Sequence, residues 1–498
     1  MTSSRLCAGS GGLFAFLVLT VLTVSGCATS RYFHDAGPPP ATPPRYSLAD
    51  LPVPEYWTGV IFNGDKIGFT HVLVRPLPDE PGRFMIESDA ALLLRILGYS
   101  KTVNLRAQDV VDGELRIVRF AHDHDIDGNR LQVSGEMAGG ELRVTLNNAG
   151  RVREQRLTLD QPVFPTSAIA FYPIVHGLAL GSHFRYTIYN SEVQRLLSVE
   201  QRVAGYERSD LFMGQAYRVE TSTLGHGATT WIDAHGQPLL EMALNGVIIS
   251  ALEGRSEARR YLTQAALNKR ETLVEFSLIK PEGTLTQPRA SRELQLELSG
   301  APWPPPSDGR QQCDAKASGY TCTIRAGVSA GPGGAEDKAY LQSSVQAPSD
   351  AAAIKNTAAG IVGDATDADR QIDLLLKWIA ANIQRMPVDA FSALDVLEHR
   401  EAECQGHAYL FAAFARSLGI PTRVVNGLVY SEQFHGFLYH TWVESRVGDG
   451  WQAIDPTFAQ READATHLKL VEGESGGDVL PLVQWVGKVR IRVQSAKP

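Results

Sequence analysis

Cysteine and positive charge are both scarce in this chain of 498 residues. It has five cysteines, none in a C-x-x-C pair, which argues against a cysteine-rich structural zinc site. Acidic residues outnumber basic ones by 55 to 47, and this balance disfavours nucleic acid as the main partner because phosphate binding needs a basic surface. Beyond the N-terminal segment no apolar run reaches the length of a membrane-spanning helix. The chain as a whole has 44% hydrophobic and 20% charged residues, which is typical of a globular protein of about two or three domains.

Residues 1–27 have the layout of a bacterial export signal. Arg5 supplies a short positive start, and Leu13–Val24 is an apolar run too short to span a bilayer comfortably as a helix. Ser25-Gly26-Cys27 follows, and the whole segment resembles the lipobox of bacterial lipoproteins. The resemblance implies cleavage before Cys27, a lipid anchor on its thiol and, from Ala28, an outer-membrane lipoprotein facing the periplasm. An ordinary signal peptide, or an anchor helix that contains a cysteine, is the alternative.

Composition divides the mature chain into four segments: a proline-rich tether over 28–52, a β-rich domain over 53–300, a linker over 301–348 and an α+β domain over 349–498. Prolines among small residues favour an extended polyproline II tether. In the β-rich domain apolar residues alternate with period two, which predicts a mostly antiparallel β domain with one or two short helices. Its clearest signal is a hairpin, in which Tyr56–Phe62 and Ile67–Val74 flank an Asn-Gly turn.

Two of the cysteines lie in the linker, where Cys313 and Cys322 are nine positions apart. In an oxidising compartment a disulfide that closes so short a loop contributes about 2–3 kcal/mol. We therefore predict a Cys313–Cys322 disulfide, with two free thiols as the alternative.

The last segment predicts helices followed by a sheet. Apolar residues from Ile372 to Ile383 recur on one helix face, and a second helix is expected from about Cys404 to Ser417, ended by Gly419 and Pro421. Four strand-like runs follow: Arg423–Tyr430, Phe437–Val447, Trp451–Asp455 and Val486–Val493. Helices followed by strands indicate an α+β fold.

Cys404 opens the second helix, where unpaired N–H groups and the helix dipole stabilise a thiolate. His440 lies in one strand-like run and Asp455 ends the next, with a Gly448–Gly450 turn between them. A hairpin about that turn makes Asp455 the diagonal neighbour of His440 on the same face. The sequence therefore predicts a nucleophile, a base and an orienting carboxylate for covalent acyl transfer.

Four sequence blocks around these residues occur in the order and spacing of a known family: Glu403-Cys404, Gly419–Arg423, His440–Glu444 and Trp451–Thr457. Together they resemble the transglutaminase-like superfamily over about residues 370–460, and Asp464–His467 resembles an extension in bacterial members. The resemblance implies a papain-like fold, a Cys404-His440-Asp455 triad, and structural roles for Arg423 and Trp442. The chain departs from the family pattern just before the cysteine, where Ala402-Glu403 replaces the common Gly-Asp or Gly-x. The carboxylate of Glu403 would oppose ionisation of the thiol if it turned inward.

Several alternatives stay open at the level of sequence. The Cys404 N–H is a natural oxyanion donor, and Gln405 and Tyr439 are candidates for the second donor. His407 could join the triad residues in a Cys-His-His-Asp metal site, although C-x-x-H alone is a weak motif. The run His122–Asn129 resembles the start of a calcium loop, but Ser134 stands where the bidentate carboxylate belongs, so an acidic hairpin turn is favoured.

The sequence as a whole predicts an outer-membrane-anchored thiol enzyme that needs no cofactor or metal. Cys404 would form a thioester from an amide, and hydrolysis of envelope peptides or proteins is favoured over cross-linking. The partners are then a peptide or protein amide and the membrane reached through Cys27. The alternative is a non-catalytic envelope scaffold in which the β domain binds a partner and the thiol domain is degenerate.

Overall fold

The computed structural model describes residues 32–498 apart from positions 63, 97–98, 149, 224–225, 244–245, 261–276, 328–334, 387–389, 480, 483–484 and 486–487. The predicted export signal, with Cys7 and Cys27, lies outside the described residues. Among the helices that the structure describes, none is both long and apolar enough to cross a membrane.

The N-terminal part is built on one 16-stranded sheet. Its strands are β1 (Phe33–Asp35), β2 (Glu55–Phe62), β3 (Asp65–Pro76), β4 (Arg83–Ile96), β5 (Tyr99–Asp112), β6 (Ile117–Ile126), β7 (Asn129–Ala138), β8 (Glu141–Asn148), β9 (Arg151–Thr158), β10 (Val163–Pro165), β11 (His183–Asn190), β12 (Arg195–Ser209), β13 (Phe212–Thr223), β14 (His226–Ile232), β15 (Pro238–Ala243) and β16 (Ile248–Glu253). From β2 to β9 and from β10 to β16 each strand pairs with the next in sequence, and β16 pairs with β2 and so joins the two halves. The predicted hairpin of β2 and β3 is confirmed.

The core of this sheet lies between its two halves. Alternate residues of β7 are buried, as the period of two predicts for strands with one covered face. Helix α1 (Ala168–His176) packs in the largest core cluster of this part, with Ile86 from one half and Val199 from the other. A second short helix, α2 (Arg255–Ala258), follows β16.

The acidic run His122–Asn129 covers the end of β6, the turn and the start of β7. Asp123 pairs with Arg130, and Asp125 accepts a hydrogen bond from the Gly128 N–H. These carboxylates are engaged within a hairpin of two strands, which is the arrangement that the acidic-turn interpretation predicts.

Part of the predicted tether is bound to the sheet. Strand β1 pairs with β12, the Tyr46 N–H donates to the Ile174 carbonyl, and Leu48 is buried. Because this stretch carries apolar side chains between its prolines, it gains more from packing than from extending into solvent.

A separate four-stranded sheet contains β17 (Glu293–Ser299), β18 (Gln311–Lys316), β19 (Gly319–Arg325) and the C-terminal strand β26 (Arg490–Lys497), in the order β18-β19-β17-β26. It spans the boundary predicted at residue 300. The hairpin of β18 and β19 lies in the predicted linker, where Cys313 and Cys322 are directly opposite each other. Their predicted disulfide is confirmed.

The C-terminal domain joins a helical layer to a second four-stranded sheet. Its elements are α3 (Ala352–Val362), α4 (Ala368–Asn382), β20 (Gln384–Arg385), α5 (Ala393–His399), β21 (Glu401–Ala402), α6 (Cys404–Ser417), β22 (Thr422–Ser431), β23 (Gly436–Val447), β24 (Gly450–Ile454), β25 (Leu468–Glu472) and α7 (Gly476–Val479). The sheet order is β24-β23-β22-β25. Helix α6 is buried along most of its length, with α3, α4 and α5 packed around it.

Local signals set the bounds of these helices. Asp367 caps α4 by accepting the Arg370 N–H, and the apolar face predicted from Ile372 is buried. Helix α6 ends just before Gly419, whose φ of +82° favours glycine. The predicted α+β class, a β-rich region followed by a helix-containing domain, is confirmed.

Candidate active site

Cys404 is the first residue of α6 and is half-buried. Among the described residues it is the one free cysteine. Glu403 precedes it in an extended conformation, and its carbonyl accepts hydrogen bonds from the backbone N–H and Nδ1 of His407. The first N–H groups of a helix have no intrahelical acceptor, so they and the helix dipole favour negative charge near the thiol.

His440 and Asp455 come together through the hairpin of β23 and β24. The strands pair Val443 with Ile454 and Val447 with Gly450, which is the predicted register. Nε2 of His440 lies 2.8 Å from Oδ2 of Asp455.

Cys404 lies close enough to His440 that its side chain contributes to the raised pKa of the imidazole. Because Nε2 is engaged by Asp455, Nδ1 is the ring nitrogen left for the thiol. The structure thus brings Cys404, His440 and Asp455 together in one series, with His440 between the thiol and the carboxylate.

Burial and charge act in opposite directions on this series. Burial alone would lower the pKa of His440, but the charge and hydrogen bond of Asp455, together with Cys404, raise it to about 9. Burial would raise the pKa of Asp455, but His440 and His467 hold it well below its usual range. The carboxylate is therefore ionised at neutral pH and favours the imidazolium form of His440.

An aromatic ring covers His440. The Phe458 ring is stacked on the imidazole with centroids 4.9 Å apart and planes within 10°. Two guanidinium carbons lie over the same phenyl ring, that of Arg289 at 4.3 Å and that of Arg385 at 4.9 Å. This stack fixes the plane of the imidazole and partly excludes water from it.

Sequence reasoning did not assign a role to His467, which lies directly behind the series. Its Nε2 is 2.9 Å from the same Oδ2 of Asp455 that His440 contacts. The side chain is fully buried. One indication in the sequence that His467 has a role is its place in Asp464–His467, the segment that resembles a family extension.

His440, Asp455 and His467 offer three donor atoms within 4.8 Å of one another, a spacing that suits a metal ion. Both Nε2 atoms already bond to Oδ2, however, and Oδ1 accepts the N–H groups of Thr457 and Phe458. Hydrogen bonding therefore accounts for this donor set. His407, the metal candidate from the sequence, bonds to the Glu403 carbonyl instead.

The two candidate oxyanion donors differ in position. Gln405 is half-buried next to Cys404 on α6, and its side chain makes no hydrogen bond within the described part of the chain. Strand alternation sends Tyr439 to the opposite side of β23 from His440. Its buried hydroxyl has no partner among the described residues and packs in another core cluster. Gln405 is therefore the better-placed side chain.

The remaining motif residues hold the sheet together. Arg423 and Lys469 pair with the fully buried Glu444 at 2.6 and 3.0 Å. The Arg423 guanidinium also lies 4.5 Å from the centre of the Trp451 ring, and Trp442 is buried. These contacts join β22, β23, β24 and β25, the strands that carry and flank His440.

Three solved structures show the extent of similarity to known proteins. A provisionally assigned cysteine protease from Cytophaga hutchinsonii is 15% identical, with 42% of this chain and 85% of that one covered and a TM-score of 0.28. A beta-barrel-like protein of a domain of unknown function from Brucella abortus is 9% identical, with coverages of 40% and 94% and a TM-score of 0.31. A provisionally assigned protease from Parabacteroides distasonis is 13% identical, with coverages of 73% and 69% and a TM-score of 0.20. These low scores carry no argument about this chain.

The family comparison is more direct. None of the curated proteins matches this chain. Residues 355–456 match the model of the transglutaminase-like superfamily, a range that includes Cys404, His440 and Asp455. Residues 355–456, within the C-terminal domain, are therefore similar to the transglutaminase-like superfamily.

Proposed function

We propose that this protein is a thiol enzyme that cleaves or transfers the acyl group of an amide. The observation that carries the proposal is the hydrogen bond of His440 to Asp455, with His440 beside Cys404 at the start of a buried helix. A nucleophile, a base and an orienting carboxylate in contact are the requirements for covalent acyl transfer.

The reaction follows from these groups. His440 takes the thiol proton, and the Cys404 thiolate attacks the amide carbonyl to form a C–S bond. As the C–N bond breaks, His440 returns the proton to the leaving amine, and a thioester remains. Water activated by His440 then breaks the C–S bond to release a carboxylic acid, or a second amine takes the acyl group. The Cys404 N–H, with Gln405 as the second candidate, faces the oxyanion.

The proposed substrate is a peptide or protein amide of the bacterial envelope, with hydrolysis as the favoured outcome. The proposed location is the periplasmic face of the outer membrane, reached through a lipid on Cys27. Support comes from the residue pattern up to Cys27 and from the disulfide, which is typical of exported proteins.

The first test measures the reactivity of the thiol. The full chain is treated with iodoacetamide at pH 7, and alkylation of the Cys404 peptide is followed by mass spectrometry. We expect fast labelling that His440→Ala slows at least about tenfold, because the imidazolium beside the sulfur stabilises the thiolate, which is the form that reacts. Slow labelling that is equal in both proteins would contradict the proposal and favour the scaffold alternative.

A second test separates hydrolysis from transfer. Peptides from a casein digest, and separately muropeptides, are incubated with the protein in ¹⁸O-water that contains a biotinylated primary amine. Label from water in new carboxyl groups reports hydrolysis, and biotin in peptides reports transfer. Cys404→Ala should abolish both signals, and persistence of either would exclude Cys404 as the nucleophile.

The anchor is tested independently of the chemistry. The chain is expressed in a Gram-negative host fed an alkyne fatty acid, and the envelope fractions are separated by density. We expect label in the outer-membrane fraction and its loss in Cys27→Ala. An unlabelled wild-type chain would overturn the lipoprotein part of the proposal.

A further inference from the structure

His467 is enclosed by hydrogen-bond acceptors on both sides of its ring. Nε2 faces Oδ2 of Asp455 at 2.9 Å. Nδ1 faces Asp464, with Oδ1 at 3.3 Å and the backbone carbonyl oxygen at 3.2 Å. Since an ionised carboxylate and a carbonyl can only accept, both ring nitrogens must donate, and only the imidazolium form of histidine does so.

The segment that carries His467 is held from a distant part of the chain. Arg310, itself buried, donates to the backbone carbonyl oxygens of His467 at 2.8 Å and of Asp464 at 2.7 Å. Oδ2 of Asp464 accepts from Arg289 at 2.9 Å and from Gln460 at 2.8 Å. The His467 ring is therefore fixed by contacts that do not involve the thiol.

We propose that His467 is a positioning residue: as a buried cation between Asp455 and Asp464, it fixes the carboxylate that orients His440. This inference rests on the proposed function. Asp455 then has two ring donors on Oδ2 and two backbone donors on Oδ1, so its orientation is fully determined.

The same arrangement limits the basicity of His440. Its ring centroid lies 5.8 Å from that of His467. The charged or titratable groups around His467 are Asp455 directly after β24, Asp464 from its own segment, His440 from β23, and Arg310, which bonds to its carbonyl. A positive charge on His467 opposes protonation of His440, so the imidazolium of His440 releases its proton to the leaving amine more readily.

The test follows the charge on His440 through two alkylating reagents. A neighbouring imidazolium attracts anionic iodoacetate to the thiolate but not neutral iodoacetamide. The rate of Cys404 alkylation by iodoacetate, divided by the rate with iodoacetamide, therefore falls when His440 loses its proton. Both rates are measured on the full chain. In the wild type the midpoint of this fall is expected near pH 9.

His467→Gln keeps an amide that can donate to Asp455 but removes the charge. A unit charge 5.8 Å away at an effective dielectric constant of about 20 shifts a pKa by roughly two units. We expect the midpoint to move upward by about one to two pH units, and the His467→Leu variant to lose alkylation rate as well.

His407→Gln is the matched control, because His407 is also buried near the site but bonds to the Glu403 carbonyl. Its midpoint should equal that of the wild type. An unmoved midpoint in folded His467→Gln would overturn the inference, since a merely structural role changes stability without changing this titration. A wild type that shows no His440-dependent preference for iodoacetate would instead contradict the proposed function.

Discussion

The raised pKa of His440 makes the stability of the fold depend on pH. Burial opposes the charged form, but Asp455 and Cys404 raise the pKa from 6.5 to about 9. The group therefore contributes stability that is complete below pH 6.5 and is lost as the pH rises through 9. A shift of about 2.5 units at 1.36 kcal/mol per unit gives roughly 3 kcal/mol, with no discount for solvent because the ring is buried.

The assay is urea unfolding of the wild type and of His440→Gln at several pH values between 6 and 10. The stability difference between them should fall by about 3 kcal/mol across this range. His407→Gln is the control, because burial lowers the pKa of His407, so the contribution of His407 to stability does not fall as the pH rises. A flat His440 difference, or one that grows with pH, would refute the reasoning.

Three further predictions concern the stability of the structure around the site. Replacing Cys313 and Cys322 by serine should cost about 2–3 kcal/mol in chemical unfolding, the value for so short a loop, and an unchanged midpoint would contradict it. Gly427→Ala should destabilise the fold in thermal unfolding, because a Cβ there would lie 2.0 Å from a backbone carbonyl oxygen, whereas Gly360→Ala, with open space, should raise the melting temperature. Glu444→Gln should destabilise the fold in urea unfolding because it removes a fully buried carboxylate from Arg423 and Lys469. The loss should be smaller than the about 3–5 kcal/mol of an uncompensated buried charge, because both cations also pair with Glu472, and a neutral outcome would show that Glu444 is dispensable.

Local signals in the sequence predict most of the catalytic series. Helix α6 is recognisable because Gly419 and Pro421 mark its end, and this places Cys404 at its start. The register of β23 and β24 follows from the short turn at Gly448, so the proximity of His440 and Asp455 could be predicted by counting. Each of these inferences depends on residues close together in the chain.

Contacts between distant segments were not predictable in this way. Arg310 donates a hydrogen bond to the backbone carbonyl of His467, although the two residues are far apart in the sequence and no periodicity links them. The pairing of β16 with β2 likewise depends on the curvature of the whole sheet and not on either strand alone. The predicted linker is structured because its strand β19 pairs with β17, which lies in the segment before residue 300.

The position of β26 has a consequence for the order in which the protein is assembled. Its partner β17 precedes the helix-containing domain in the chain, whereas β26 follows it, so the two strands cannot pair until that domain has been synthesised. Until then one edge of β17 has unpaired backbone groups, which are prone to pair with other chains. The nascent protein therefore depends on this eight-residue strand to close the edge, and a truncation before Arg490 would leave the edge permanently open and aggregation-prone.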